Sequence, residues 1–200
     1  LATSPTDVDV VYAATAPIAG RPRVFRTRNG GASWDDVTGA LPDRYPSDLA
    51  VDPGDPDRVV VTFMGFGTSH VFLSSNAGAS WTDIGAALPD IPTSAVEFDP
   101  DHPEVIYAGT DLGIYVTPDA GDSWFTFNDG MPLAMVNDLK VFGPGRQLRA
   151  ATHGSGAWQR ELFDPAACTI PGEATTLRLS HSGGPGGTTT LTWAAPANAG

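Results

Sequence analysis

Basic residues and cysteine are scarce in this 200-residue chain, and long apolar runs are absent. The chain has 11 Lys and Arg against 23 Asp and Glu, a formal net charge of -12, and Lys140 is its only lysine. Such a negative field repels phosphate, which argues against nucleic acid and anionic membrane surfaces as partners. No apolar run approaches the ~20 residues that a membrane-spanning helix needs, and no signal peptide is visible.

Cysteine occurs once, at Cys168, so no disulfide can form within these residues and a cysteine metal cluster is excluded. A partner cysteine outside the chain and a reactive thiol are both compatible with this single residue. The 4 histidines are far apart, with no pair spaced by three or four residues. We therefore predict no metal site and no cofactor.

Glycine and proline are abundant, with 23 and 18 residues, and one eight-residue pattern occurs three times. It reads hydroxyl, any, Asn or Asp, any, Gly, any, Ser, Trp. The three copies contain Thr27, Asn29, Gly31 and Trp34; Ser74, Asn76, Gly78 and Trp81; and Thr117, Asp119, Gly121 and Trp124. The Asn or Asp side chain binds its own downstream backbone and the glycine takes a positive φ, which predicts a hairpin turn. The tryptophan then begins the next strand and buries its ring beside the hydroxyl residue.

A second pattern, an acidic, proline-bearing turn before an apolar strand, recurs at about the same spacing as these hairpin turns, at residues 5–12, 53–60 and 100–107. Each unit divides into four short strands rich in Val, Ile, Phe and Tyr. In the second unit these are 48–52, 58–65, 69–75 and 81–85, and in the third 95–99, 104–110, 113–117 and 124–128. A fourth unit, 137–142, 147–153 and 157–162, lacks the turn and the outer strand. The pattern predicts an all-β fold of four-stranded antiparallel sheets.

The repeated turns resemble the Asp-box, or BNR, repeat of sialidases, sortilin-type receptors, xyloglucan-cleaving glycosidases and photosystem assembly factors. The resemblance covers residues 1–163 and implies β-propeller blades, with the three tryptophans as wedges between them. Since the chain starts at Leu1 within a repeat and the fourth unit is incomplete, we expect the C-terminal three to four blades of a larger ring. A complete four-bladed ring is the alternative, and the missing closing strand counts against it. An incomplete ring would expose apolar side chains on both terminal blades, so we expect aggregation or a partner surface.

The composition changes after the repeats. Residues 164–174 are rich in Pro, Ala and Gly, which predicts a linker. Residues 175–200 resemble the opening hairpin of a fibronectin type III or related immunoglobulin-like domain, because Leu177 and Leu179 alternate, a glycine-rich turn follows, and Leu191 and Trp193 alternate again. The two resemblances together imply a secreted or cell-surface protein.

Glycoside hydrolysis needs two carboxylates that flank one bond. In xyloglucanase-like propellers the catalytic aspartates lie in loops between the second and third strands of a blade, and here only 109–113 matches, with Asp111. The resemblance therefore implies a hydrolase with Asp111 as one carboxylate and the second outside this segment. The same Asp and Gly pairing is also typical of an ordinary hairpin turn.

Loops at one face of a propeller are where ligands bind, and their aromatic and polar side chains suit a glycan or a protein loop. In this chain the loops carry Tyr45, Phe63, Phe66, His70, Asp111 and His153. From them we predict a ligand-binding surface that includes Phe66, His70, Asp111 and His153. The leading hypothesis is a noncatalytic recognition or assembly scaffold, whose partners are a glycan or protein and the remaining blades. A xyloglucanase-like glycoside hydrolase is the alternative.

Overall fold

The computed structural model describes residues 1–16 and 19–166 and, beyond them, two strands at 177–182 and 188–193. The chain divides into two compact units, Leu1–Phe163 and Asp164–Gly200. In these described ranges all paired strands are antiparallel, and the one helical element is a short 3-10 turn, Gly143–Gly145. No helix in the described part of the chain has the length and apolar character needed to cross a membrane.

The first unit contains four sheets, named here blades 1 to 4, and the strands of each pair in chain order. Blade 1 consists of β1 (Ala2–Thr3), β2 (Val11–Thr15), β3 (Arg23–Thr27) and β4 (Asp35–Asp36). Blade 2 consists of β5 (Pro46–Val51), β6 (Val59–Phe63), β7 (Val71–Ser74) and β8 (Thr82–Asp83). Blade 3 consists of β9 (Thr93–Phe98), β10 (Ile106–Thr110), β11 (Gly113–Thr117) and β12 (Phe125–Thr126), and blade 4 of β13 (Val136–Phe142), β14 (Gln147–Thr152) and β15 (Gly156–Glu161). The predicted all-β architecture of antiparallel propeller blades is confirmed.

The blades in the middle of the series are buried on both faces. Every residue of β6 and of β10 is buried, because these strands lie between two neighbouring sheets. A separate apolar core fills each gap between successive blades: Tyr12 and Val61 belong to the first, Val60 and Ile106 to the second, and Tyr107 and other residues to the third. Consecutive apolar residues in these strands therefore report burial on both sides of the sheet.

The two terminal faces of the blade series differ from each other. On blade 1, the outward side chains Val11 and Ala13 are half-buried, and Phe25 beside them is also half-buried. On blade 4, the outward Arg149 and Gln159 are exposed, and Phe142 on the same face is 41% exposed. The outward face of blade 4 therefore combines polar side chains with Phe142, whereas Val11, Ala13 and Phe25 give blade 1 an apolar outward surface.

The second unit contains one hairpin within the described residues. β16 (Leu177–Ser182) pairs with β17 (Thr188–Trp193), so that Leu177 lies opposite Trp193 and Leu179 opposite Leu191. Residues 167–176, which include Cys168 and most of the predicted linker, lie outside the described residues.

Candidate functional site

Each repeated turn is closed by hydrogen bonds between its own side chains and backbone. In the second copy, Ser74 Oγ accepts the N–H of Gly78 at 2.8 Å, and Asn76 Oδ1 accepts the N–H of Ser80 at 2.9 Å. Asp119 Oδ1 accepts the matching N–H in the third copy at 2.9 Å. These polar groups are occupied within the turn, so the turn itself offers no free ligand-binding group.

The tryptophans that follow two of these turns join successive blades. Trp81 Nε1 donates to the carbonyl of Val37 at 2.8 Å, and Trp124 Nε1 donates to the carbonyl of Ile84 at 2.7 Å. Each acceptor belongs to the preceding blade. Trp34, in the first blade, is 42% exposed. The tryptophans of blades 2 and 3 are therefore structural contacts between blades.

One end of the blades carries the loops between second and third strands and the starts of the inner strands. A backbone hydrogen bond holds these two parts together in three blades. It runs from Met64 N–H to Tyr45 O at 2.9 Å, from Asp111 N–H to Pro92 O at 3.2 Å, and from His153 N–H to Met135 O at 2.8 Å. We call this end, residues 43–46, 64–70, 90–93, 111–112, 132–136 and 153–155, the loop face.

Three of the residues singled out in the sequence lie on the surface of the loop face. Phe66 is 61% exposed in the β6–β7 loop, and His153 is exposed in the β14–β15 loop. Asp111 is half-buried in the β10–β11 loop, and its Oδ1 is buried without a hydrogen-bond partner among the described residues. The three share one end of the blades, but no hydrogen bond or ion pair joins them in the part of the chain that the structure describes.

His70 lies beneath this surface rather than on it, with 1% of the residue exposed. Its Nδ1 lies 3.2 Å from the carbonyl of Phe63, and its Nε2 lies 2.9 Å from Asp90 Oδ1. The Asp90 carboxylate also accepts the N–H of Gly67, and these bonds from Gly67 and His70 lower the pKa of Asp90. His70 therefore fixes the β6–β7 loop to the connection that follows blade 2.

Three further apolar side chains are exposed on the loop face. Tyr45, which the sequence places in these loops, is 58% exposed directly before β5, whereas Phe63 is buried with 2% exposed. Leu112, 45% exposed next to Asp111, and Leu133, 74% exposed before β13, were not singled out from the sequence. Their positions in the sequence could have indicated this exposure, because each is a large apolar residue in a turn region, outside the strands that form the core. Together with Phe66 they give the loop face an apolar character.

A charged cleft of about 310 Å³ lies between the inner strands of the four blades, and we call it the axial cleft. Its charged lining consists of Asp48, Glu97, Asp138 and Lys140. Asp48 Oδ2 accepts the N–H of Val96 at 3.0 Å, and Lys140 Nζ lies 3.0 Å from Glu97 Oε2. The carboxylates thus connect the inner strand of one blade to the next. Two features of the sequence could have pointed to this charged cleft: Glu97 interrupts an apolar strand, and Lys140 is the only lysine.

Burial is the largest influence on the pKa of Asp48 and of Glu97, two carboxyls that line the axial cleft. Loss of water raises the pKa of Asp48 and of Glu97, although Lys140 and backbone N–H groups oppose that shift. For Lys140, partial burial opposes the charged form, but the nearby carboxylates of Glu97, Asp138 and Asp48 outweigh it and raise the pKa. Within the described residues, no group of three or more His, Cys, Asp or Glu is arranged to hold a metal ion.

No model of a known protein family and no curated protein matches this sequence. Solved structures do match. The GH74 xyloglucanase from Xanthomonas campestris gives a TM-score of 0.64 at 22% identity, over 83% of this chain and 29% of that one. The GH74 enzyme of Niastella koreensis gives 0.66 at 16% identity, over 95% and 29% of the two chains. YCF48 bound to a D1 peptide gives 0.53 at 16% identity, over 81% and 58%. This chain spans less than a third of each GH74 enzyme, and it shares with all three proteins the β-propeller fold.

Proposed function

We propose that residues 1–163 are part of a noncatalytic recognition propeller that binds a glycan through its loop face. The observation that carries this proposal is the exposure of two aromatic rings on blade 2, 58% for Tyr45 and 61% for Phe66. The hydrogen bond from Met64 N–H to Tyr45 O brings the two segments that bear these rings side by side. Flat aromatic surfaces beside polar loop groups are suited to stack on sugar rings and to orient their hydroxyls.

The similarity to solved structures supports a glycan as the first ligand to test. One similar protein is a xyloglucanase, so xyloglucan is a reasonable probe for a propeller of this fold. A glycan ligand of this kind agrees with a secreted or cell-surface protein. We further propose that the repeated turns are of the Asp-box type, that a linker at 164–174 leads to an immunoglobulin-like module, and that further blades complete the propeller.

A glycoside hydrolase is the second candidate function, and one observation favours it. Asp111 Oδ1 is buried and has no hydrogen-bond partner among the described residues, and an unsatisfied buried polar atom of this kind is a feature of functional sites. Hydrolysis would need a second carboxylate roughly 5 to 9.5 Å away. Asp90, the carboxylate of the adjacent loop, already accepts hydrogen bonds from Gly67 and His70. The noncatalytic proposal therefore comes first.

Titration calorimetry of the 200-residue chain with xyloglucan oligosaccharides tests the first proposal. We expect Tyr45→Ala and Phe66→Ala each to weaken binding about tenfold, equivalent to ~1.4 kcal/mol. Val8→Ala is the matched control, because Val8 is 85% exposed at the opposite end of blade 1. Equal affinity in all three variants, or no binding by the parent chain, would contradict the proposal.

A reducing-sugar assay on the same samples separates the two candidate functions. A recognition propeller binds the oligosaccharide and releases no reducing ends. Release of reducing sugar by the parent chain, abolished in Asp111→Asn, would establish the hydrolase instead. Asp122→Asn serves as the control, because Asp122 lies in the third repeated turn, away from the loop face.

A further inference from the structure

The β6–β7 loop carries the exposed Phe66 between two glycines. Gly65 and Gly67 have φ angles of 99° and 81°, and a Cβ placed on either would meet no atom within 4 Å. Glycines in open surroundings leave the backbone free to adopt other conformations. The backbone hydrogen bond of Met64 holds the start of the loop, and at its far end the Gly67 N–H donates to both carboxylate oxygens of Asp90 at 2.9 Å. The position of Phe66 therefore depends on Asp90.

The base of this loop is packed far more tightly than its tip. His70 is 1% exposed, and its carbonyl accepts the N–H of Phe63 at 2.9 Å. A Cβ placed on Gly85 would lie 2.9 Å from Val71 N and 3.3 Å from His70 N, so the backbone of the next connection lies against the base. Beside Gly67, in contrast, is a cavity of about 280 Å³. The His70 ring can therefore stay in place while the tip moves.

Both ring nitrogens of His70 face hydrogen-bond acceptors. Nδ1 lies 3.2 Å from the carbonyl oxygen of Phe63, and Nε2 lies 2.9 Å from Asp90 Oδ1. A neutral imidazole has one N–H, so its other nitrogen would turn a lone pair towards an oxygen, whereas an imidazolium donates to both. The side chain is 2% exposed, which leaves little access for water to the nitrogen without a partner. The geometry of both contacts therefore favours the protonated ring.

The charged groups around this pair keep the Asp90 carboxyl ionised. The hydrogen bonds from Gly67 and His70 lower its pKa, and the positive charge of Arg44 acts in the same direction. From strand β8, Asp83 accepts the hydroxyl of Ser69 next to the ring. Histidine changes its charge between about pH 5 and pH 8, a range in which Asp90 remains ionised. The proton on His70 is therefore the variable part of the pair.

We propose that protonated His70 and ionised Asp90 form a latch that holds the Phe66 loop in position for a glycan, and that loss of the His70 proton releases the loop. The latch is complete at low pH and is lost as the pH rises and the ring becomes neutral. Asp90 is a positioning residue, since it acts on the ligand by placing Phe66. The effect on binding rests on the proposed function, whereas the order of the loop does not.

NMR spectroscopy of the 200-residue chain tests the latch without any ligand. At about pH 5 we expect protons on both ring nitrogens of His70 and an order parameter near 0.85 for the Gly67 Cα, as in rigid backbone. At about pH 8 the ring should be neutral, and the order parameter should fall to about 0.6 or below. Relaxation of the Cα carbon is suitable because it does not depend on exchange of the amide proton.

Asp90→Asn distinguishes a latch from a purely structural contact. The Asn oxygen still accepts the Gly67 N–H, and its amide donates to Nε2 of a neutral His70 whose Nδ1–H binds the Phe63 carbonyl. We expect this variant to keep the loop ordered at about pH 8, where the parent chain releases it. A purely structural need for the carboxylate would instead leave the loop of the variant disordered at both pH values.

Titration calorimetry with xyloglucan oligosaccharides measures the consequence for binding. The affinity of the parent chain should fall about fivefold between about pH 5 and pH 8, the factor that corresponds to one net hydrogen bond. The affinity of Asp90→Asn should not fall. Asp83→Asn is the matched control, because Asp83 bonds the same loop through Ser69, and this variant should keep the pH dependence of the parent chain.

Four outcomes would overturn the latch: a Gly67 order parameter that is the same at both pH values, a His70 ring that stays neutral throughout, an Asp90→Asn loop that is disordered at high pH, and equal glycan affinity although the loop is released. Release of the loop in the parent chain, with retention in Asp90→Asn, supports it. If that pattern is found and the parent chain binds no glycan at any pH, the latch stands and the proposed function fails.

Discussion

Replacement of each repeated tryptophan by phenylalanine should separate the contact between blades from the turn itself. All three tryptophans follow the same turn, but only two of them donate to a neighbouring blade. Trp81 binds the Val37 carbonyl at 2.8 Å and Trp124 binds the Ile84 carbonyl at 2.7 Å. Trp34 is 42% exposed and faces no preceding blade within the described residues. It is therefore an internal control with the same local sequence.

The expected destabilisation of a Trp→Phe substitution between blades has two sources, a lost hydrogen bond and lost apolar contact. Removing the indole N–H breaks a hydrogen bond worth about 1 kcal/mol and leaves a carbonyl of the preceding blade without its donor. The smaller ring also removes apolar contact with the core that includes Val37 or Ile84, worth about 1 kcal/mol at ~25 cal/mol per Å². We expect Trp81→Phe and Trp124→Phe each to destabilise the fold by about 2 kcal/mol. Trp34→Phe should stay within about 0.5 kcal/mol, as is usual for exposed sites.

Urea unfolding followed by far-ultraviolet circular dichroism measures these differences without depending on tryptophan fluorescence. Trp81 and Trp124 lie in different gaps between blades, so the double variant should lose the sum of the two single effects. Equal losses in all three single variants would refute the reasoning, because the effect would then belong to the turn and not to the contact between blades. A larger loss for Trp34 than for the other two would refute it as well.

Three further predictions concern the turns and the axial cleft. Gly78→Ala should destabilise the fold by about 1 to 3 kcal/mol more than Gly31→Ala in urea unfolding. Both glycines have a positive φ, but only at position 78 would the added Cβ lie 2.8 Å from Cβ of Val37. Equal losses would contradict this prediction. Burial opposes ionisation of Asp119, but hydrogen bonds from Ser123 and Thr117 outweigh this effect and lower the pKa of its carboxyl. The ionised carboxyl therefore stabilises the fold above the unfolded pKa near 3.8, and this stabilisation is lost as the pH falls through the lower folded pKa. Asp119→Asn should therefore make melting temperatures less sensitive to acid below about pH 4, and an unchanged acid profile would exclude the contribution. Burial raises the pKa of Asp48, so the protonated carboxyl is favoured in the folded state. The stability that this protonated form contributes is present below the unfolded pKa and is lost as the pH rises through the folded pKa. Asp48→Asn should raise the melting temperature at neutral pH, and a decrease would show that the charge is needed there.

The fold class could be predicted because it depends on signals that repeat along the chain. Alternation, turn residues and the recurring Trp place each strand to within a few residues, and β11 has the predicted bounds, Gly113–Thr117. The candidate site was less predictable. Phe66 and Tyr45 differ from the core aromatic Phe63 only in their environment, and His70 looks like a surface loop residue until Asp90, 20 positions later, is found beside it.

The sequence by itself determined the local parts of this protein: the turns, whose hydrogen bonds join residues two to four positions apart, and the succession of short strands. Only the tertiary structure decided which copies of a feature are buried. Trp34 and Trp81 follow the same eight-residue pattern, yet Trp81 reaches a carbonyl 44 positions earlier and Trp34 remains exposed. The physical reason is that burial and charge pairing depend on the neighbouring blade, and no pattern within a single repeat specifies that neighbour.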